Sequence, residues 1–192
     1  MKSLLCSIVL LLASLTGLGK AQTQIGQFQP QFLETFESNP GASPGFFGLP
    51  PLFGGPPSAI FSPTTADGIL MKSQNQQMLP ANRGLTCLFG RATDVRITFD
   101  DPMRKFGGFF SRTNVAGAPT AVQFDFYRFG LLVWSFTAPL PPTAGPGTSN
   151  YVGLFFDLGF AGFDRVDILG VGGVFPAHLG FVGMDDLITS QI

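Results

Sequence analysis

Alternation of apolar and polar residues is the dominant pattern of this sequence. In residues 94–100, Val95, Ile97 and Phe99 fall on one face, and polar side chains fall on the other. A period of two residues is typical of a β-strand with one buried face. The pattern therefore predicts a strand whose apolar face packs into a hydrophobic core.

The same alternation recurs in residues 122–126 and 132–136. The segment between them contains Gly130, which adopts positive φ at no steric cost. This arrangement predicts a tight hairpin at Arg128-Phe129-Gly130. We expect five apolar side chains to be mostly buried on facing strands: Val95, Ile97, Phe124, Phe126 and Trp134.

Shorter runs rich in β-forming residues predict further strands near residues 32–36, 59–61, 69–71, 85–89, 106–111, 151–156, 165–169 and 184–189. Turn-forming residues separate several of them, among them Asp100 and Asp101 before Pro102. About ten short strands with turns between them are typical of an all-β fold. We expect a two-sheet antiparallel β-sandwich, jelly-roll-like, with a β-barrel as the alternative.

Three stretches favour long surface loops: residues 43–57, residues 73–82 and residues 138–149. They are rich in Gly, Pro and Phe or in polar amides. The last of them would divide the chain if it were a linker. The roughly 40 residues that follow it are too few for a core of their own. We therefore expect residues 22–192 to form a single domain.

Residues 1–21 have the pattern of a secretory signal peptide, with Lys2, an apolar run over residues 4–15 and Ala21 at the cut. The alternative is an uncleaved membrane anchor, for which the apolar run is short. No later apolar run reaches 18 residues, so no transmembrane segment is predicted after the signal peptide. The prediction is a protein secreted or held at the exterior of the cell envelope.

Charge and cysteine content narrow the functional classes. Charged residues make up 12% of the chain, where about a quarter is typical. Without residues 1–21, which include Lys2 and Lys20, the net charge of −1 becomes −3. This weakly acidic balance argues against a nucleic-acid partner, because binding to nucleic acid needs clustered Lys and Arg side chains. Cys87 is then the single cysteine, and its apolar surroundings favour a buried, inert thiol.

Candidate catalytic groups are few. His178 is the one histidine, no nucleophile-elbow motif accompanies it, and a zinc site needs more His or Cys ligands than the chain offers. The sequence favours a protein that is not an enzyme. The alternative is a glycan-active enzyme using paired carboxylates, such as Glu34 and Asp186.

Aromatic usage suggests where a ligand would bind. The chain has 22 Phe, one Trp and two Tyr. Phe has no polar group, so most of these rings are expected in the core. Tyr127 and Tyr151 are the candidate ligand-binding side chains.

Asp185 and Asp186 lie within an apolar strand pattern. Adjacent strand residues point to opposite faces, so one aspartate is expected to point towards the core. A buried carboxylate is costly unless it is paired or binds a cation, and oxygen ligands suit calcium. The hypothesis is a structural calcium ion held by Glu37, Asp185 and Asp186 between the first and last strands. The alternative is hydrogen bonding to loop amides or to an arginine.

An ordered set of short motifs resembles a known group of domains. The motifs are Phe36-Glu37, Asn39-Pro40-Gly41, Asp101-Pro102, Phe106-Gly107-Gly108-Phe109-Phe110, Phe124-Asp125-Phe126-Tyr127, Phe163-Asp164-Arg165-Val166-Asp167-Ile168 and Met184-Asp185-Asp186-Leu187. In this order they resemble the secreted bacterial β-sandwich domains of PEP-CTERM (exosortase-sorted) surface proteins, which are similar to galactose-binding-like jelly rolls.

The resemblance spans most of residues 32–189. It implies adjacent first and last strands and a non-catalytic binding or structural role at the bacterial cell exterior. An extracellular carbohydrate or a cell-surface protein is the expected partner.

Overall fold

The computed structural model describes residues 22–34, 59–64, 69–73, 87–91, 94–112, 117–140, 150–156, 162–173 and 182–191. These residues form twelve β-strands and no helix. The strands are β1 (Gln22–Ile25), β2 (Phe32–Glu34), β3 (Ala59–Pro63), β4 (Ile69–Ser73), β5 (Cys87–Arg91), β6 (Val95–Met103), β7 (Lys105–Arg112), β8 (Ala121–Arg128), β9 (Leu131–Pro139), β10 (Asn150–Phe156), β11 (Phe163–Val171) and β12 (Val182–Ser190).

The strands form two antiparallel sheets. One has seven strands in the order β1-β10-β7-β12-β5-β4, with β2 also paired to β12. The other has five strands in the order β3-β6-β11-β8-β9. The predicted all-β, two-sheet antiparallel sandwich is confirmed. Among the described residues, no helix is long and apolar enough to cross a membrane.

Phenylalanine rings join the two sheets. Phe106 and Phe110 of β7 meet Phe124 of β8 edge to face, with ring centroids 6.0 and 4.9 Å apart. Phe106 also meets Phe126 at 5.9 Å. All four rings are fully buried or nearly so. Each such contact adds about 0.5–1.5 kcal/mol to the burial of apolar surface, so these rings form the centre of the core.

The buried face of the five-stranded sheet is as predicted for Val95, Ile97, Phe124 and Phe126, which are at most 2% exposed. Trp134 is half-buried and stacks on Phe126. The expectation that these residues lie on facing strands is wrong, because all of them belong to one sheet. Alternation shows which side chains share a face, but it does not show which strands pair.

The predicted hairpin joins β8 to β9. Phe129 and Gly130 form the turn, with φ of +51° and +77°. Positive φ at both central residues suits the twist of a tight hairpin. The glycine was expected here, whereas the phenylalanine in this conformation was not.

The predicted turn at Asp100 and Asp101 is wrong, because β6 continues to Met103. The pairing with β11 is interrupted here: Thr98 pairs with Arg165, and the next pair joins Met103 to Phe163. Such an irregularity accommodates Pro102, which has no N–H to donate.

The strand region that begins at Phe32 does lie beside the last strand, since β2 pairs with β12. The alternation pattern did not indicate β1, which pairs with β10. Residues 1–21, Glu37, His178 and most of the three predicted loops lie outside the described residues, as does the side chain of Cys87. The signal peptide and the single domain over residues 22–192 stay predictions.

Candidate ligand-binding site

Several side chains singled out in the sequence lie on the outer face of the seven-stranded sheet, away from the core. Asp185 of β12 pairs with Phe109 of β7, and Phe109 pairs with Tyr151 of β10. Paired residues on neighbouring strands point to the same side of a sheet. Tyr151 and Asp185 therefore share this face, on two strands that both pair with β7.

A β-bulge decides where the two aspartates point. Between Asp185 and Ile188, β12 contains one residue more than its partner β7. The extra residue lets Leu187 enter the core and leaves Asp186 at the wall of an outer cavity. The expectation that one aspartate points into the core is therefore wrong. It assumed strict alternation, which a bulge interrupts.

The bulge also changes the backbone and the neighbours of β12. Asp186 has a φ of +45°, a conformation that aspartate enters more readily than most residues. On the other edge of β12, the pairs with β5 end at Met184 and the pairs with β2 begin at Leu187. Asp186 thus lies where β12 changes partner.

Both carboxylates are largely removed from solvent, with Asp185 2% exposed and Asp186 5% exposed. Oδ1 of Asp185 accepts a hydrogen bond from the backbone N–H of Asp186 at 2.8 Å. This hydrogen bond offsets part of the free-energy cost of burying a carboxylate. It also fixes the bulge, because the side chain of one residue holds the backbone of the next.

A cavity of about 430 Å³ lies between the bulge and the segment that precedes β2. We call it the bulge cavity. It is lined by one aspartate, two glutamines, one phenylalanine and three aliphatic residues. The lining residues are Gln27, Phe28, Gln29, Pro30, Leu33, Asp186 and Ile188. Cavities of this size and mixed lining suit small ligands.

The N-terminal wall of the cavity is tied to β12. The backbone N–H of Gln31 donates to the carbonyl of Thr189 at 3.2 Å. The side-chain oxygen of Gln31 accepts from the N–H of Gln191 at 3.1 Å. Leu33 then pairs with Ile188 through the β2–β12 ladder. Gln27 to Pro30 are therefore held against the bulge.

Tyr151 lies beside this wall. Its hydroxyl is buried, and no group of the described residues forms a well-aligned hydrogen bond with it. Burial raises the pKa of Tyr151 to about 12. The polar interaction of the hydroxyl with the backbone of Phe28 acts in the opposite direction and lowers the pKa. Its ring meets that of Phe109 edge to face at 5.3 Å. Tyr151 therefore supports the segment that carries Phe28, and it does not line the cavity itself.

Tyr127 lies on the other sheet, within a network of charged side chains. The guanidinium carbon of Arg165 is 3.6 Å from the centroid of the Tyr127 ring. Asp167 accepts two hydrogen bonds from Arg96, both at 2.7 Å, and lies 3.5 Å from Arg165. One face of Tyr127 is thus occupied by an arginine. The structure does not bring Tyr127 together with Tyr151.

The calcium hypothesis stays a prediction. The part of the chain that the structure describes contains no group of three or more His, Cys, Asp or Glu side chains placed to hold a metal ion. Glu37, the third proposed ligand, lies outside that part. Asp185 and Asp186 are adjacent in the strand and would need ligands from elsewhere.

Sequence reasoning missed the cavity residues between β1 and β2. The signal that marks them is compositional, since glutamine recurs at positions 22, 24, 27, 29 and 31. Amide side chains at this density, interrupted by Phe28 and Pro30, are unusual for a buried strand. They indicate a polar wall that also carries an aromatic ring.

Comparison with protein-family models and with curated proteins gave no match. Among solved structures, the K2 cleaved adhesin domain of Lys-gingipain is similar with a TM-score of 0.53 and 13% identity, over 83% of this chain and 98% of that chain. An apo cyclase from Fischerella sp. gives a TM-score of 0.47 and 10% identity, over 88% of this chain and 96% of that chain. The adhesin domain shares the fold of this chain.

Proposed function

We propose that this protein is a non-catalytic binding module of the bacterial cell exterior and that its ligand is a carbohydrate bound in the bulge cavity. The observation that carries the proposal is the lining of that cavity. An aspartate and two glutamines line a space that is also lined by a phenylalanine. The exterior location rests on the predicted signal peptide and on the resemblance to secreted bacterial β-sandwich domains.

The lining matches the chemistry of a sugar. Each sugar hydroxyl both donates and accepts hydrogen bonds. The Asp186 carboxylate accepts, and the amides of Gln27 and Gln29 do both. The C–H face of a sugar ring is apolar and suits contact with Phe28, a ring without a polar group. Since Gln27 and Gln29 are exposed, a ligand reaches them from solvent.

The non-catalytic role is supported by the carboxylates at the cavity. Among the described residues that line it, Asp186 is the one acid. Glycoside hydrolysis needs two carboxyl groups on opposite sides of the bond that breaks, roughly 5–10 Å apart. Asp185, the nearest acid in sequence, uses Oδ1 to hold the bulge. The fold shared with an adhesin domain is compatible with a binding role.

The test is a glycan-array screen of the mature chain, followed by calorimetric titration with the best ligand. Gln27→Ala and Gln29→Ala should each weaken binding about tenfold, the effect of losing one hydrogen bond to a ligand. These side chains are exposed, so the fold should be unchanged. Gln123→Ala on the other sheet is the matched control and should bind as the wild type does.

Two results would contradict the proposal. One is equal binding by the Gln27 and Gln29 variants and the wild type, which would place the ligand elsewhere. The other is release of reducing sugar from a bound glycan, abolished by Asp186→Asn. That result would establish the alternative, a glycan-active enzyme using Asp186 with a second carboxylate.

A further inference from the structure

The β8–β9 hairpin ends in an exposed apolar tip. Phe129, Leu131 and Leu132 are 78%, 72% and 56% exposed, and Gly130 lies between them. We call residues 129–132 the hairpin tip. Single exposed apolar residues are ordinary on protein surfaces, whereas a cluster of large ones is often functional.

The hairpin tip is held in place by side chains at its base. Oδ2 of Asp164 accepts a hydrogen bond from the backbone N–H of Phe129 at 2.9 Å. The same oxygen lies 3.5 Å from Nη1 of Arg128, and the Arg128 guanidinium is 4.1 Å from the centroid of the Phe129 ring. The exposed phenylalanine is therefore presented by a defined structure.

Fold stability does not explain the phenylalanine at this position. Phe129 has a φ of +51°, a region that is unfavourable for bulky residues and suits glycine or asparagine. With 78% of its surface exposed, its side chain gains little from the core in return. A residue that costs stability and remains exposed indicates a role outside the fold.

We propose that the hairpin tip inserts into the interfacial region of a zwitterionic lipid bilayer. Two polar groups at the tip are already paired, since Asp164 accepts from the Phe129 N–H and Arg128 balances the Asp164 charge. Moving the tip into an apolar medium therefore leaves few polar groups unsatisfied. Because the Arg128–Asp164 pair is neutral, it suits a zwitterionic surface rather than an anionic one.

The size of the tip also favours lipid over a second copy of the chain. Three side chains offer roughly 300–400 Å² of apolar surface. A stable protein interface buries about 800 Å² on each partner. A convex hairpin of this size is too small for such an interface, whereas shallow insertion into a bilayer requires only a few apolar side chains.

The first test is co-sedimentation of the chain with phosphatidylcholine vesicles. The wild type should sediment with the vesicles, and Phe129→Ser combined with Leu131→Ser should lower the partition coefficient at least roughly tenfold, because burial of each side chain is lost. The control is Ile60→Ser, which removes an apolar side chain that is 60% exposed on β3. It should sediment as the wild type does. Circular dichroism should show all three proteins folded.

The second test places a fluorophore at the tip. Trp134 is the one tryptophan of the chain, so Trp134→Phe with Phe129→Trp gives a single indole at position 129. Its emission should shift to the blue with phosphatidylcholine vesicles and should be quenched by brominated lipid.

Three outcomes would overturn the proposal: no partition of the wild type, an equal loss in Ile60→Ser, or binding only to anionic vesicles that salt abolishes. Dimerisation without vesicle binding, lost in the tip variant, would also overturn it, because the tip would then serve a protein contact. The test is independent of carbohydrate binding at the bulge cavity.

Discussion

The hydroxyl of Tyr151 occupies the space where a side chain of Gly107 would begin. Oη lies 2.7 Å from the position that a Cβ on Gly107 would take, and it lies equally close to that of Gly153. Gly107 pairs with both Gly153 and Ile188. The two glycines thus make room for the tyrosine beneath the segment that carries Phe28, at the edge of the bulge cavity.

Gly107→Ala should lower the free energy of unfolding by about 1–3 kcal/mol, the usual cost of overpacking. The new methyl group would lie 2.7 Å from the Tyr151 hydroxyl, 3.0 Å from the Val152 carbonyl and 3.3 Å from Ile188 Cγ1. Chemical denaturation measures the loss. Gly26→Ala is the matched control, because no atom lies within 4 Å of its Cβ position. Equal stability of the two variants would show that Tyr151 is not packed on Gly107.

Stability should fall as the pH rises from about 10 towards 12. Burial raises the pKa of Tyr151 to about 12, against about 10 in an unfolded chain. The folded state therefore favours the neutral phenol, and this contribution is complete below pH 10 and is lost as the pH approaches 12. Tyr151→Phe should remove this part of the pH dependence. Denaturant titrations at pH 9, 10.5 and 11.5 measure it, and identical profiles for the two proteins would contradict the assignment.

Phe124→Ala should cost about 3–5 kcal/mol, from lost transfer free energy and from the cavity that remains. The ring is 0% exposed and contacts Phe106 and Phe110 of the opposite sheet. The measurement is the shift in the denaturant concentration at the unfolding midpoint, with the dependence of the unfolding free energy on denaturant concentration unchanged. Phe129→Ala is the control at an exposed ring and should change stability little. A loss below about 1 kcal/mol at Phe124 would argue against its place at the centre of the core.

Calcium should raise the melting temperature if Asp185 and Asp186, with Glu37, bind it. Calcium that binds only the folded state stabilises it by about 2.7 kcal/mol when the free calcium concentration is a hundred times the dissociation constant. Asp185→Asn or Asp186→Asn should abolish that gain, whereas Asp125→Asn on the other sheet should retain it. Melting curves with millimolar calcium and with chelator decide the matter. Unchanged curves for the wild type would contradict calcium binding at these two carboxylates.

Local pattern alone determined every strand except β1, and it determined the buried faces of β6 and β8. The period-two alternation of Val95, Ile97 and Phe99 on β6 requires no distant partner, because successive side chains of a strand point to opposite faces. The hairpin at Gly130 is also local, since the turn joins strands adjacent in sequence. These features were enough to predict two antiparallel sheets.

Tertiary structure decided which strands are neighbours and where the cavity forms. β12 lies between β7 on one edge and β5 and β2 on the other, and its pairings with β7 and β2 join residues at least seventy positions apart. One extra residue at Asp186 places Leu187 in the core and Asp186 at the wall of the bulge cavity. Alternation in a single strand cannot show this, because a bulge exists only relative to the partner strand. The bulge cavity therefore depends on the register of three strands rather than on any one segment.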